Sequence, residues 1–270
     1  MTFFQIDSKN ALYFAYEEPK TDNPTFVFVN PLTGSTDTWV GPITENICAQ
    51  GFGYLAFDFR GQGQSSFDSQ IELSTNLLVS DLIRMVQHVK PRRIILVGLS
   101  IGGLYAALAL ESGLKVDAIV LVNTLRKNSI RLQWINKTMV NVASYGGTAL
   151  LMDFNLPLIA GHEFLKRMKQ NALKPERFKP MDKTSGIYKL MEGSLSANWD
   201  FDWAKLNIPV FVMTGHLDKV FRIPEDIDQI SSSIPKVERL ELPNYGHLIP
   251  NEAPELFSTE ICDFAKRILR

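Results

Sequence analysis

The chain has 270 residues, a formal net charge of −1 and 45% hydrophobic residues. This length suits one full α/β domain, which would bury about 75% of its extended-chain surface. The small net charge and the lack of a cationic stripe give no support for nucleic-acid or anionic membrane binding. No window is apolar enough to span a bilayer and no signal peptide is evident, so we expect a cytoplasmic protein without membrane association.

The predicted elements alternate along the chain between strands and helices. Strands are predicted near 3–6, 11–17, 25–30, 54–58, 93–98, 117–123, 209–214 and 237–242. Helices are predicted near 37–50, 72–89, 101–112, 225–233 and 254–269. This alternation predicts an eight-stranded, mostly parallel sheet with helices on both faces. The first two strands have no helix between them, which favours an antiparallel hairpin at one edge.

The alternation is interrupted between Asn123 and Ile208, where only helical patterns occur. A structureless loop of that length is uncommon in a compact domain. We therefore predict a core made of residues 1–125 and 204–270, with a helical cap over residues 126–203. Five of the eight methionines lie in this cap, and adaptable apolar side chains suit a pocket for an acyl or alkyl group. For each of these residues, packing within the core of the cap is the favoured alternative.

The segment Gly98-Leu99-Ser100-Ile101-Gly102 has the pattern G-x-S-x-G between a predicted strand and a small-residue helix. In that context a serine sits on a strained turn above the sheet edge, where its neighbours must be small. The following helix directs free backbone amides and the positive end of its dipole at this position. The pattern makes Ser100 a candidate covalent nucleophile, although the bare motif also occurs by chance.

A serine nucleophile needs a base, and the chain offers four histidines. His247 follows a predicted strand and the turn Asn244-Tyr245-Gly246, at the edge where parallel sheets present catalytic groups. His88 and His162 lie in predicted helical regions, where surface or packing roles are favoured. His216 is within reach of the site, but the sequence places no acid to orient it. His247 is therefore the candidate base.

The candidate acid is Asp218, which comes just after the buried strand 209–214. An aspartate in such a position often only caps a turn or a helix. Asp202 and Asp226 are its nearest competitors along the chain.

Ser100, Asp218 and His247 follow one another in the order of the α/β-hydrolase triad, each after a separate strand. The sequence resembles the α/β-hydrolase superfamily of small, single-domain serine esterases over nearly its whole length. Two further segments carry the resemblance: the turn Asp58 to Ser65, which matches D-x-R-G-x-G-x-S, and Gly246-His247 followed by Glu252 and Pro254. These motifs are specific for the superfamily and unspecific for a substrate.

The chain departs from the family after the strand near 25–30. The family usually has His-Gly there, whereas this chain has Asn30-Pro31. The resemblance maps the oxyanion donors onto the backbone N–H groups of Leu32 and Ile101. Proline has no N–H, but Leu32 retains its own, so the oxyanion hole can still form.

The resemblance implies hydrolysis of a small, largely apolar ester or lactone through an acyl-enzyme. Leu32, Trp134, Phe154 and Met181 are the candidate substrate-binding residues. No cofactor or metal is required, and the oligomeric state is left open. Acyl transfer, carbon–carbon bond hydrolysis and peracid formation use the same triad and remain alternatives, as does a non-catalytic binding or receptor protein that retains the pocket. The two cysteines, Cys48 and Cys262, are expected to be free, buried thiols.

Overall fold

The computed structural model describes residues 2–269 and contains one eight-stranded sheet with the strand order β1-β2-β4-β3-β5-β6-β7-β8. The strands are β1 (Thr2–Gln5), β2 (Ala11–Glu17), β3 (Thr25–Val29), β4 (Gly53–Phe57), β5 (Ile94–Leu99), β6 (Ala118–Val122), β7 (Val210–Gly215) and β8 (Val237–Leu242). The pairs β1–β2 and β2–β4 are antiparallel, and the other neighbours are parallel. The predicted sheet and its edge hairpin are confirmed.

Helices cover both faces of this sheet. They are α1 (Pro42–Ala49), α2 (Thr75–Val89), α3 (Ile101–Glu111), α4 (Ile130–Ile159), α5 (His162–Met168), α6 (Gly186–Gly193), α7 (Pro224–Ser233), α8 (Ile249–Glu252) and α9 (Pro254–Ile268). Side chains of β5 alternate between two buried clusters. Ile94 and Leu96 pack with α2 and α3, whereas Ile95 and Val97 pack with α1 and α9. The central strands are therefore buried on both faces, as their continuous apolar runs predict.

Several boundaries differ from the sequence prediction for local reasons. The helix predicted from 37 to 50 begins only at Pro42, because Gly41 has a φ of 122° and breaks the helical path. Within α4, Gly147 has a φ of 69° and a ψ of −169°, so two helical segments meet at a kink there. The short helix α8 was not predicted.

The residues between β6 and β7 form a helical layer that contacts the core at defined points. Val140, Ala143, Leu151, Tyr188 and Met191 make a small apolar cluster of their own. A methyl group on Gly186, at the start of α6, would lie 2.3 Å from Cα of Gly61 in the 58–65 turn. The backbones of layer and core therefore touch directly at this point.

Within residues 2–269, no helix combines the length and the apolar character needed to cross a membrane. Both cysteines are free: Cys262 is buried and Cys48 is half-buried. Burial raises the pKa of the Cys262 thiol to about 12.

Candidate active site

Ser100 occupies the sharp turn between β5 and α3, with φ 57° and ψ −124°. Its N–H donates to the carbonyl of Val122, at 2.8 Å, which fixes the turn on the neighbouring strand. A methyl group on Gly98 would lie 2.4 Å from Cα of Gly103, and one on Gly102 would lie 2.3 Å from the Val29 carbonyl oxygen. The glycines of the motif are therefore required by close backbone approach.

Asp218 and His247 form a buried pair beyond the ends of β7 and β8. Oδ2 of Asp218 lies 2.6 Å from Nδ1 of His247, and the two residues are 3% and 4% exposed. Oδ1 of Asp218 accepts hydrogen bonds from the N–H groups of Val220 and Phe221. This arrangement fixes the imidazole ring and leaves its Nε2 free of hydrogen bonds within residues 2–269.

Opposing effects set the pKa of Asp218. Burial raises the pKa, but the charge and hydrogen bond of His247, the Phe221 amide and the charge of Arg126 together lower it below its usual range. The carboxyl group therefore stays ionised at neutral pH, and an ionised carboxylate holds Nδ1 protonated and Nε2 available as a proton acceptor.

Asn123 joins the loops that carry the acid and the base. It follows β6 with a φ of 47°, and its Oδ1 accepts from Gly215 N–H at 2.9 Å. Its Nδ2 donates to the carbonyl oxygens of Gly246 and His247, at 3.0 and 2.9 Å. One amide side chain thus fixes the end of β7 relative to the loop of His247.

The last turn of α4 also holds both loops. Leu158 carbonyl oxygen accepts from Lys219 N–H at 2.9 Å, and Ile159 carbonyl oxygen accepts from His247 N–H at 2.5 Å. Glu252 completes the support, because its carboxylate accepts from the N–H groups of Gly161, Gly246 and Leu248. The helical layer is therefore part of the scaffold that positions Asp218 and His247.

The loop after β3 lies against the start of α3. The Asn30 side chain is fully buried: Nδ2 donates to Phe57 O and to Gln62 Oε1, and Oδ1 accepts from Trp39 Nε1. Gln62 in turn donates to the carbonyl oxygens of Pro31 and Leu32. Leu32 N–H has no acceptor within the described residues, and Ile101 N–H begins α3, where helices leave amides unpaired. Asn30 thus shapes the loop from within.

Ser100 hydroxyl is contacted by a side chain that sequence analysis did not single out. Nη2 of Arg126 lies 3.2 Å from Ser100 Oγ, and this is the one hydrogen bond of that hydroxyl within residues 2–269. The guanidinium lies 4.6 Å from the ring centres of both Trp199 and Phe221, and Phe221 also packs against His247 at 5.0 Å. Arg126 therefore joins the region of Ser100 to that of His247.

None of the other three histidines hydrogen-bonds Ser100 Oγ within residues 2–269. His88 stacks on Phe4 at the end of α2, and His162 is exposed at the start of α5. His216 does have a carboxylate partner, because its Nε2 lies 2.8 Å from Glu241 Oε2. The expectation that no acid orients His216 was therefore wrong; Glu241 projects from β8, the strand next to β7.

The candidate substrate-binding residues occupy different places. Leu32 packs against both the main core and the small cluster of the helical layer, and Met181 packs against that same cluster. Trp134 and Phe154 are 74% and 51% exposed and line a depression of about 590 Å³ beside Val220. Ser100 does not line that depression.

A family model described as alpha/beta hydrolase fold matches residues 24–254. The chain belongs to this family. YugF, an uncharacterized hydrolase of Bacillus subtilis strain 168, is 23% identical over 97% of both chains. A thermophilic esterase from Thermogutta terrifontis superposes with a TM-score of 0.80 at 19% identity, over 99% of this chain and 97% of that one. An enol-lactonase from Burkholderia xenovorans LB400 gives 0.78 at 19% identity, over 98% and 100%.

Membership of the α/β hydrolase family confirms the resemblance found in the sequence. The family motifs led to Ser100, Asp218 and His247, but not to the residues that connect them. Asn123 and Arg126 follow β6 and belong to none of the sequence motifs that indicated the family. The available signal was their position, since both follow the end of a central parallel strand, where such sheets bind ligands.

Proposed function

We propose that the protein is a serine hydrolase that cleaves small carboxylic esters or lactones. The observation that carries this proposal is the buried Asp218–His247 pair, which Phe221 and Arg126 connect to Ser100 on its strained turn. The esterase and lactonase neighbours share the fold and fit this activity.

The reaction proceeds in two steps, acylation of Ser100 and hydrolysis of the acyl-enzyme. Ser100 Oγ bonds to the scissile carbonyl carbon while His247 Nε2 takes the hydroxyl proton, and the alcohol leaves with that proton. A water molecule then attacks the acyl-enzyme, giving a proton to His247, and the acid leaves as Ser100 regains its hydrogen. Asp218 stabilises the imidazolium in both steps.

The oxyanion is assigned to two backbone N–H groups, those of Leu32 and Ile101. Neither uses a side chain of the residues that replace His-Gly: Asn30 is occupied by the buried hydrogen bonds that shape the loop, and Pro31 contributes only its carbonyl. Pre-positioned donors of this kind typically contribute 10²–10³-fold to kcat.

The helical layer over residues 126–203 is proposed to select the substrate. Leu32 and Met181 share one apolar cluster, so Met181 can face the acyl group bound near Ser100. Trp134 and Phe154 line the outer depression and would contact only a longer substrate.

The test is Ser100→Ala measured with p-nitrophenyl esters and lactones of graded chain length. Only one oxygen is removed, so we expect hydrolysis to be lost while circular dichroism stays unchanged. A fluorophosphonate probe should label the wild-type protein at Ser100. Turnover near the wild-type rate in the variant, or the absence of labelling in the wild type, would overturn the proposal; the latter would favour a binding protein.

A further inference from the structure

Two arginines are buried among residues 2–269, and only one of them has a carboxylate partner. Arg60 donates to both oxygens of Asp81, at 2.8 Å each. Arg126 is equally buried, at 5% exposure, but no carboxylate lies within ion-pair distance of it among residues 2–269. The charge of Asp218 favours the charged form of Arg126 from beyond ion-pair distance, but a buried guanidinium without a directly paired carboxylate remains costly, so such a group needs a reason to be there.

The acceptors of Arg126 are neutral oxygens. They are Asn123 O at 2.6 Å, Thr124 O at 3.2 Å and Ser100 Oγ at 3.2 Å. Its Nη1 donates to none of the described residues, and unlike Nε of Arg222 it is not sealed from solvent. The guanidinium is therefore held by the carbonyl oxygens of residues 123 and 124 on one side, and its Nη1 is a free donor on the other.

Arg126 carries its charge close to the imidazole of His247. Burial lowers the pKa of Arg126 to about 10, so the guanidinium remains charged at neutral pH. Phe221 packs against both Arg126 and His247, which places this cation close to the imidazole. An anion bound to Arg126 would compensate this buried positive charge.

We propose that Arg126 binds a carboxylate of the substrate, so that the preferred substrates are esters or lactones with a carboxylate close to the scissile carbonyl. This inference rests on the proposed function and narrows its substrate class. A carboxylate oxygen bound to the guanidinium would lie within about 8 Å of Ser100 Oγ, given ordinary hydrogen-bond lengths. Short dicarboxylic monoesters, or esters of short hydroxy acids, meet that limit.

The surroundings favour a single negative charge over a double one. One guanidinium supplies one positive charge, and its faces are covered by the rings of Trp199 and Phe221. A planar carboxylate matches this charge and the planar donor edge, whereas a phosphate dianion would leave a charge uncompensated beside apolar walls.

The test compares esters that differ only in the carboxylate. Proton release is followed for monoethyl glutarate against ethyl pentanoate, and for 4-acetoxybutanoate against butyl acetate. We expect wild-type kcat/KM to favour one anionic ester by at least about tenfold. Arg126→Met should lower kcat/KM for that ester about 100-fold while changing its neutral counterpart less than tenfold. Arg126→Lys keeps the charge but not the planar pair of donors, so its kcat/KM for the anionic ester should lie between those of the wild type and Arg126→Met.

The matched control is Arg92→Met, which removes the same charge from an exposed position just before β5, at the opposite end of that strand from Ser100. It should leave both members of each ester pair unchanged. Equal losses for anionic and neutral esters in Arg126→Met would make Arg126 a purely structural residue and overturn the inference. Wild-type preference for the neutral esters would overturn it as well.

A binding measurement covers the case in which Arg126→Met does not fold. Ser100→Ala retains Arg126, and calorimetry should show monoethyl glutarate binding at least about tenfold more tightly than ethyl pentanoate. Equal binding, or tighter binding of inorganic phosphate, would refute the carboxylate site. Anion binding without any ester hydrolysis by the wild type would instead refute the proposed function and leave the site standing.

Discussion

Asp218 keeps its charge in surroundings that would ordinarily neutralise a carboxyl group. Its Oδ1 accepts two backbone hydrogen bonds and its Oδ2 pairs with His247, so each oxygen has a partner. These partners outweigh burial and lower the pKa of Asp218. The ionised form of Asp218 therefore depends on the conformation of residues 218–221. That conformation also determines how Asp218 holds the imidazole of His247.

Asp218→Asn should lower kcat by up to about 10⁴-fold, because an amide donating to Nδ1 would impose the wrong imidazole tautomer. Steady-state kinetics on the best ester of the series measures this. Asp226→Asn is the control, since Asp226 pairs with Lys127 at the surface and should be silent. If Asp226→Asn lost activity and Asp218→Asn kept it, Asp226 rather than Asp218 would be the acid of the triad.

The effect of Asp218→Asn on the free energy of unfolding should depend on pH. The folded-state pKa of Asp218 is depressed, so its contribution is present above the unfolded pKa of about 3.9 and is lost as pH falls through the folded value. The difference in unfolding free energy between wild type and Asp218→Asn should therefore narrow below about pH 4 in urea titrations. A difference independent of pH would contradict this reading of the carboxylate.

At the scale of elements, α6 approaches the core closely at two glycines, in addition to burying Leu190 in the main apolar cluster. Gly186 meets Gly61 at one end of the helix, and a methyl group on Gly193 would lie 2.2 Å from the Leu73 carbonyl oxygen at the other. Both contacts are backbone against backbone, so neither neighbour can move without moving its chain. The helix therefore sits at a fixed distance from the 58–65 turn, which in turn supports the loop of Leu32 through Gln62.

Gly186→Ala tests this contact because two effects predict opposite signs. Helix propensity alone would make alanine stabilising by up to about 1 kcal/mol. The clash with Gly61 should instead destabilise the protein by about 1–3 kcal/mol, as overpacking does elsewhere. The midpoint of urea unfolding decides the sign, and an increase in that midpoint would show that α6 is free to shift.

Sequence patterns predicted the elements well where one physical signal dominated. Buried parallel strands such as β5 and β6 read as continuous apolar runs, and the family motifs located Ser100 and His247. The late start of α1 has a local cause, the φ of Gly41. Arg126 and Asn123 were missed because their roles depend on contacts across the sheet edge, which no local pattern contains.

At the scale of the whole molecule, the helical layer divides into two parts with different attachment. The end of α4 is joined to the loops of Asp218 and His247 by the carbonyls of Leu158 and Ile159. By contrast, α5 and the 3₁₀ turns Lys169–Asn171 and Pro175–Arg177 contain no buried residue. Few buried contacts mean a low free energy of local opening, so the second part should open without the first.

Hydrogen exchange measured by mass spectrometry tests this division. In the substrate-free protein, peptides covering 155–161, 216–221 and 245–249 should exchange slowly and together, because their amides share one hydrogen-bond network. Peptides from 163–180 should exchange at least about tenfold faster, since their backbone is exposed. Asn123→Ala removes the acceptor of the Gly215 N–H and the bonds to the loop of His247, but none of the contacts of residues 163–180. It should therefore accelerate exchange only at Gly215 and in the 216–221 and 245–249 peptides. Uniform fast exchange over 130–196 would show a layer that opens as one lid, and then the α4 carbonyls could not be what holds Asp218 and His247 in place.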